Sequence, residues 1–276
     1  MSPIRGGILH LPQSHEGRYS QSLERGLAIL KAFTPDRPWL GIAEIAEVLE
    51  MSRPTTHRYA STLVALNYLE QGPRRRYRLG MRAGDPGRSA VNSTALRKLP
   101  SHCLADLRDR SACTASVAVL DGSDIVYVDR ARSLWQGQSE VSTRLGRGSR
   151  LPARDTAMGR ALLAHRSSEE QREAIDTSDD RQAHRPAGTD TDTNKLLEEL
   201  ERVREKQFAI ADQLHIEGQR CVAAPLRGRS GEVIGAVDVA APKATFSRAR
   251  ILERLVPLVV ASAEEMSTHL GYTPAE

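Results

Sequence analysis

The sequence predicts an α+β chain of two unequal domains: a small helical domain closed by a β-hairpin, then a larger one of mixed helices and strands. Three observations carry this. The 276 residues exceed the roughly 100–200 of a usual single domain. Apolar residues recur at helical spacing up to about residue 66, whereas strand-like runs return in pairs after residue 115. Charge is also divided: residues 1–84 hold twelve Lys and Arg against seven Asp and Glu, net +5, and the remainder is net −1.

Leu23, Leu27, Leu30 and Phe33 sit at helical spacing with Ser22 placed to cap, so a first helix is expected over Ser22–Phe33, ended by Pro35 and Pro38. Ile42, Ile45, Ala46 and Leu49 form the apolar face of a short second helix. Ser52 is a good N-cap with Pro54 in the following first turn, which opens a third helix carrying Ala60, Leu63 and Leu66 inward. Tyr68–Glu70 and Tyr77–Leu79 then flank a Gly-Pro turn that ends in three arginines, a hairpin pattern.

Gly84–Gly87 reads as a hinge, and a helix over Thr94–Arg110 leads into strands Ala115–Leu120 and Ile125–Asp129, joined by Asp121-Gly122. Helices are expected over Asp155–His165 and Lys195–Lys206, with a polar run from Asp176 to Asn194 between them. Strands Cys221–Leu226 and Val233–Val239 flank the turn Gly228–Gly231. A long helix, Arg248–Leu270, closes the chain with Leu252, Leu255, Val259 and Met266 in a stripe. The expected organisation is a flexible N-terminal arm (1–18), a winged helix-turn-helix (19–83), a hinge and linker helix (84–98) and the larger α/β domain (99–271).

Cys103, Cys113 and Cys221 are odd in number and widely spaced, so neither a disulfide framework nor a zinc site is indicated, and no cofactor is called for. The first twenty residues have too short an apolar run for a signal peptide, and no stretch approaches the roughly 18 apolar residues of a membrane span. The cytoplasm is the expected location, without membrane partners.

The basic first third points to a polyanion. Two short helices and a tight turn followed by a basic wing match a major groove about 12 Å wide, which admits the second helix. Arg53, Thr55 and Arg58 fall away from the Ala60/Leu63/Leu66 face toward base edges or phosphates, and Thr56 lies within one turn's rotation of doing so. Arg74, Arg75 and Arg76 on the wing are expected to add sequence-independent affinity for double-stranded DNA.

These residues carry a resemblance. SLERGLAILKAF, IAEIAEVLEMSRPTTHRYASTLVALNYLE and YRLG resemble the DNA-binding domain of the IclR family of bacterial transcriptional regulators. The likeness continues through VAVLDGSDIVYVDR, LPARDTAMGRALLA, REKQFAIADQLHIEGQRCVAAPLR and GEVIGAVDVAAP. It implies a GAF-like effector-binding domain after the linker helix, a small organic metabolite as effector, and homodimers or tetramers on palindromic operators.

Exposed N–H groups of Ala157 and Met158, at a helix start, are placed to hold a carboxylate, although small residues there also serve close packing. By similarity, Asp212, Gln219, Cys221, Asp238 and Ala240 line the effector pocket. Cys221 alone also reads as an apolar filler. Asp238 alternates away from Val237 and Val239 and needs a partner or a proton. Beside Asp212 it would disfavour a plain carboxylate, so an effector bringing a hydroxyl, an amine or another donor is expected. Gln207 stands where the family usually has Gly, and Gly41 where a capping Ser or Thr is common.

Catalysis would need Cys221 as nucleophile with His215 or His165 as base. No nucleophile elbow, phosphate loop or H-E-x-x-H accompanies them, so an enzyme is not expected. A ligand-binding protein that has lost its DNA contacts is the other alternative, and the exposed arginines argue against it.

Overall fold

The computed structural model describes residues 19–133, 145–179, 192–212 and 218–273, so the expected N-terminal arm, His215 and much of the polar run after Asp176 lie outside the described residues. The chain divides into two compact units, Met1–Ser89 and Ala90–Glu276. Among the described residues no helix is long and apolar enough to cross a membrane.

The first unit packs three helices on a small sheet. Helix α1 (Gln21–Lys31) starts one residue earlier than expected, because Ser20 and not Ser22 is its cap. Its backbone continues past Lys31 to place Phe33, with Ile29, in the core, but Leu23 and Leu27 are 65% and 50% exposed, against the expectation that they face inward. Strand β1 (Leu40–Gly41), unforeseen in the sequence, leads directly into α2 (Ile42–Val48). Glycine offers no side-chain cap at Gly41, and instead Glu44 reaches back to accept the Gly41 N–H at 2.6 Å. The turn to α3 (Arg53–Ala65) passes through Glu50, whose φ of 50° closes the corner. Strands β2 (Leu69–Gln71) and β3 (Arg76–Leu79) complete an antiparallel sheet in the order β1-β3-β2. Ile29, Leu40, Ile45, Ala60, Leu69 and Tyr77 fill the core; Leu66, expected among them, ends α3 half exposed.

Gly84–Gly87 is helical: a 3₁₀ turn over Met81–Gly84 runs into α4 (Asp85–Asn92), with Pro86 in the first turn, where a missing N–H costs nothing. The single helix expected over Thr94–Arg110 is a 3₁₀ turn, Ala95–Lys98, then α5 (Ser101–Ser111), separated at Pro100, which leaves its predecessor extended.

The second unit is a six-stranded antiparallel sheet in the order β6-β5-β4-β9-β8-β7. It comprises β4 (Thr114–Asp121), β5 (Asp124–Ala131), β6 (Arg150–Pro152), β7 (Ala209–Asp212), β8 (Gln219–Arg227) and β9 (Val233–Pro242). Alternation along the strands makes two different faces. Ala118, Tyr127, Cys221, Ala223 and Ala236 meet α6 (Ala157–Leu163), α7 (Ser168–Asp179) and α8 (Thr193–Lys206). Val117, Val222, Val237 and Val239 meet α5 and the terminal helix α9 (Val256–His269). A π-turn over Ile251–Leu255 precedes α9 and leaves Leu252 exposed, so it drops out of the expected stripe. Gln207 at the end of α8 holds φ 60°, the left-handed conformation usually given to Gly, and its side-chain oxygen accepts from Arg227 at 2.7 Å.

Candidate nucleic-acid interface and ligand face

The first turn of α3 is fixed by its own sequence. Thr55 N–H donates to Ser52 Oγ at 3.3 Å, and the Ser52 hydroxyl donates to Thr55 Oγ1 at 2.8 Å. This leaves Arg53 and Arg58 exposed and Thr55 at the rim, with neither arginine in an ion pair among the described residues. Arg58 lies over the Tyr59 ring at 5.6 Å, and the Tyr59 hydroxyl donates to Ser22 of α1 at 3.1 Å. That bond, with Arg58 and Arg25 beside it, holds the Tyr59 hydroxyl below its usual pKa despite some desolvation. Arg25 of α1 thus carries the positive charge of this surface beyond α3.

Thr56 does not belong to that surface. It is 0% exposed, and its hydroxyl donates to Ser52 O at 3.0 Å, so the helix rotation puts it in the core beside Ala60. Contrary to the expectation that it faces DNA, Thr56 is a core residue.

The wing divides its arginines. Arg74 and Arg75 are exposed at the tip, both with positive φ, 56° and 55°. Arg76 turns back instead: its guanidinium donates to Trp39 O at 2.7 Å and to Glu44 at 3.2 Å. Arg78 pairs with Glu70 and lies over the Trp39 ring at 5.1 Å. Trp39 in turn covers Gly72, where an added Cβ would sit 2.5 Å from the indole. Arg76 therefore anchors the hairpin and is not a free cation at its tip.

In the second unit, register places Asp238 of β9 between Ser116 of β4 and Ala223 of β8, and Cys221 beside Ala240. Gln219, Cys221, Asp238 and Ala240 share the face that meets α6. Asp238 is 4% exposed, and its Oδ1 has no hydrogen-bond partner among the described residues. Burial pushes its pKa up to about 7, although the Arg130 charge and hydrogen bonds from Ser116 pull the other way. The Cys221 thiol is raised by burial and by the neighbouring Asp238, and the Tyr127 hydroxyl by the same two causes. Ser116, Tyr127 and Arg130 are thus members of this polar cluster that the sequence reading missed; the alternation of β4 and β5 around Ala118 and Tyr127 was the available signal.

Asp212 lies elsewhere. It pairs in register with Arg220, one residue out of phase with Cys221, so both point to the opposite face of the sheet. Arg220 binds Asp212 at 3.0 Å and donates to Phe246 O at 2.9 Å. The two carboxylates expected side by side are separated by the sheet.

Ala157 and Met158 are buried at the start of α6, packed in the same cluster as Cys221. Gly159 beside them is required by packing, since a Cβ there would lie 2.0 Å from Ala153 O. A cavity of about 600 Å³ opens at the end of β8 and β9, lined by Gln219 and Ala240 with Cys113, Phe246, Arg250 and Arg254. It touches neither Cys221 nor Asp238.

Cys221 is a poor nucleophile here, since its raised pKa keeps the thiol protonated. His165, whose pKa burial and the charges of Arg227, Arg204 and Arg166 lower to about 4, stands apart from the Asp238 cluster.

Comparison with known proteins gives the chain its place. Residues 88–268 match the family described as bacterial transcriptional regulator IclR C-terminal, and residues 22–73 the IclR helix-turn-helix domain. The Pca regulon regulatory protein of Pseudomonas putida is 30% identical over 252 residues, 91% of this chain and 84% of that one. A crystal structure from Rhodococcus sp. RHA1 is 30% identical at a TM-score of 0.75, covering 91% of this chain and 98% of the other. An IclR homologue from Microbacterium hydrocarbonoxydans, complexed with 4-hydroxybenzoate, shares the fold at 23% identity and TM-score 0.70, over 90% of this chain and 98% of that one. With a helix-turn-helix in its first unit and a sheet-and-helix domain in its second, both matched in order, this chain belongs to the IclR family of bacterial DNA-binding transcriptional regulators.

Proposed function

We propose that α3 reads operator DNA in the major groove through Arg53, Thr55 and Arg58, while Arg74 and Arg75 hold the flanking backbone. The observation that carries this is the division of α3: Thr56 and Ala60 are sealed in the core, and Arg53 and Arg58 project from the other side, unpaired with any carboxylate among the described residues. Arg53 also stands at a helix N-terminus, where free N–H groups favour phosphate. A homodimer on a palindromic site, in the cytoplasm, fits this geometry, because two copies present two such helices. The exposed Leu23 and Leu27 of α1, with Tyr19 beside them, are an apolar surface suited to the second copy.

The effector is a small organic molecule held on the sheet face of Cys221, Asp238 and Ala240, with Ala157 and Met158 beneath and Gln219 at the rim. Asp238 Oδ1, buried and without a partner among the described residues, calls for a donor such as a hydroxyl or amine. The 4-hydroxybenzoate of the Microbacterium relative carries such a hydroxyl. By linkage, an effector that binds one arrangement of the dimer better shifts the affinity for DNA.

A mobility-shift assay on the DNA upstream of the chain's own gene, with a thermal-shift screen of hydroxylated organic acids, tests both halves. Specific binding lost in an Arg53→Ala, Arg58→Ala double variant is expected. Unchanged binding by that variant refutes the assignment of α3, and equal effector affinity with and without operator refutes the coupling.

A further inference from the structure

Outside both sites, three side chains suited to metal binding meet at the junction of α5 and α9. His102 and Cys103 stand in the first turn of α5, and His269 is the last residue of α9. Their ligand atoms all lie within 4.8 Å of one another. The two imidazoles are exposed and meet edge to face, with ring centroids 6.3 Å apart, while the thiol lies buried between the helices.

We propose that His102, Cys103 and His269 form a binding site for a zinc ion. Helix geometry brings further support. Asp106 follows His102 by four residues and Glu265 precedes His269 by four, so each carboxylate shares a helix face with its histidine. Both carboxylates lie in the neighbourhood of the Cys103 thiol, which burial and then their charges raise, though outside the group of three ligand atoms. A thiolate and one carboxylate together balance the charge of Zn²⁺, and either carboxylate or a water can complete four ligands.

The donor set decides the metal class. Sulfur and imidazole suit zinc and its borderline-soft neighbours, whereas magnesium and calcium take oxygen ligands. Zinc–sulfur and zinc–nitrogen bonds of about 2.3 and 2.0 Å put tetrahedral donors roughly 3.5 Å apart. The three groups need close by only about an ångström, which side-chain rotation of two exposed histidines supplies. As the zinc–sulfur bond forms, the Cys103 proton passes to solvent. The ion would clamp the start of α5 to the end of α9, two elements whose Cys103 and Met266 belong to one apolar core.

The test uses the full-length chain, reduced and stripped of metal with a chelator, titrated with Co²⁺ as a spectroscopic stand-in. Thiolate-to-cobalt charge-transfer absorption saturating at one equivalent per chain, and displaced by one equivalent of Zn²⁺, is expected. His102→Gln and His269→Gln, both at exposed positions, should each weaken binding at least about tenfold, the lower end of what even outer-shell changes cost. Cys103→Ser should abolish the charge-transfer band, and because Cys103 is buried its fold is checked by circular dichroism. If that variant unfolds, the two histidine variants decide. Zinc should raise the melting temperature of the native chain and not of the histidine variants. Absence of a thiolate band, or a band that ignores both histidine substitutions and so arises at Cys113 or Cys221, overturns the site.

Discussion

Ser52 and Thr55 clasp each other across the first turn of α3, the Thr55 N–H donating to Ser52 Oγ and the Ser52 hydroxyl donating to Thr55 Oγ1. The pair aligns the start of the helix and leaves the Thr55 hydroxyl proton free to point outward. Ser52→Ala should therefore cost about 1 kcal/mol of stability in chemical denaturation, and Ser52→Asp should recover most of it. A loss in Ser52→Ala that Asp fails to restore would show that the serine acts by something other than capping.

Arg53→Ala should weaken operator binding by about 1–3 kcal/mol, with relaxed preference at one base position, if the guanidinium reaches a base edge. Titration against a set of single-base operator variants checks it. A loss uniform across all of them would assign Arg53 to a phosphate instead.

The wing arginines should separate by salt dependence. Arg74→Ala and Arg75→Ala should each lower the slope of log affinity against log salt by about 0.9, the release of one counterion. Arg76→Ala should leave that slope nearly unchanged, because its guanidinium is already held by Glu44 and Trp39. Its partly exposed ion pair is worth at most about 1 kcal/mol to the fold. Affinity measured at three or more salt concentrations separates the two classes.

Asp238 gives a pH signature. Its pKa is about 7 in the folded chain, against roughly 3.9 in the unfolded one. Below pH 4 both states hold the proton; between 4 and 7 only the unfolded state gives it up, so the native protein loses stability as pH rises through that window. Asp238→Asn removes this dependence. The variant should gain on the native chain by on the order of 4 kcal/mol between pH 4 and pH 8, read from denaturation curves at each pH. Parallel stability curves for the two proteins would mean that Asp238 is not the buried acid described.

Much of the first unit is legible in the sequence because its signals are local. A cap, a proline and a 3.6-residue apolar period specify α3, and turn residues specify the wing. What escapes is whatever depends on a distant neighbour. Leu23 and Leu27 have the spacing of core residues, and only the packed unit shows that none of its described residues buries them. Arg76 reads as part of a basic triplet until Glu44, on another element, is found to hold it. Strand β1 has two residues and β7 the run Ala209–Asp212, too short or too poor in β-branched side chains to register as strands.

The ligand face shows the same limit more sharply. Asp238 stands out in sequence because a carboxylate interrupts a valine run. The resemblance groups Asp212 with it, yet a one-residue difference in phase puts Asp212 through the sheet beside Arg220. Thr56 fails likewise: about one helical step separates a groove-facing hydroxyl from one bonded to Ser52 O.

The tip of the wing holds two consecutive arginines in the left-handed region, each costing roughly 1 kcal/mol or more that glycine would avoid. A sequence selected for hairpin stability alone would place glycine at both positions. Shape and charge are therefore in opposition at that corner: the backbone that projects the two guanidiniums also strains them, and glycine would relieve the strain only by removing both charges.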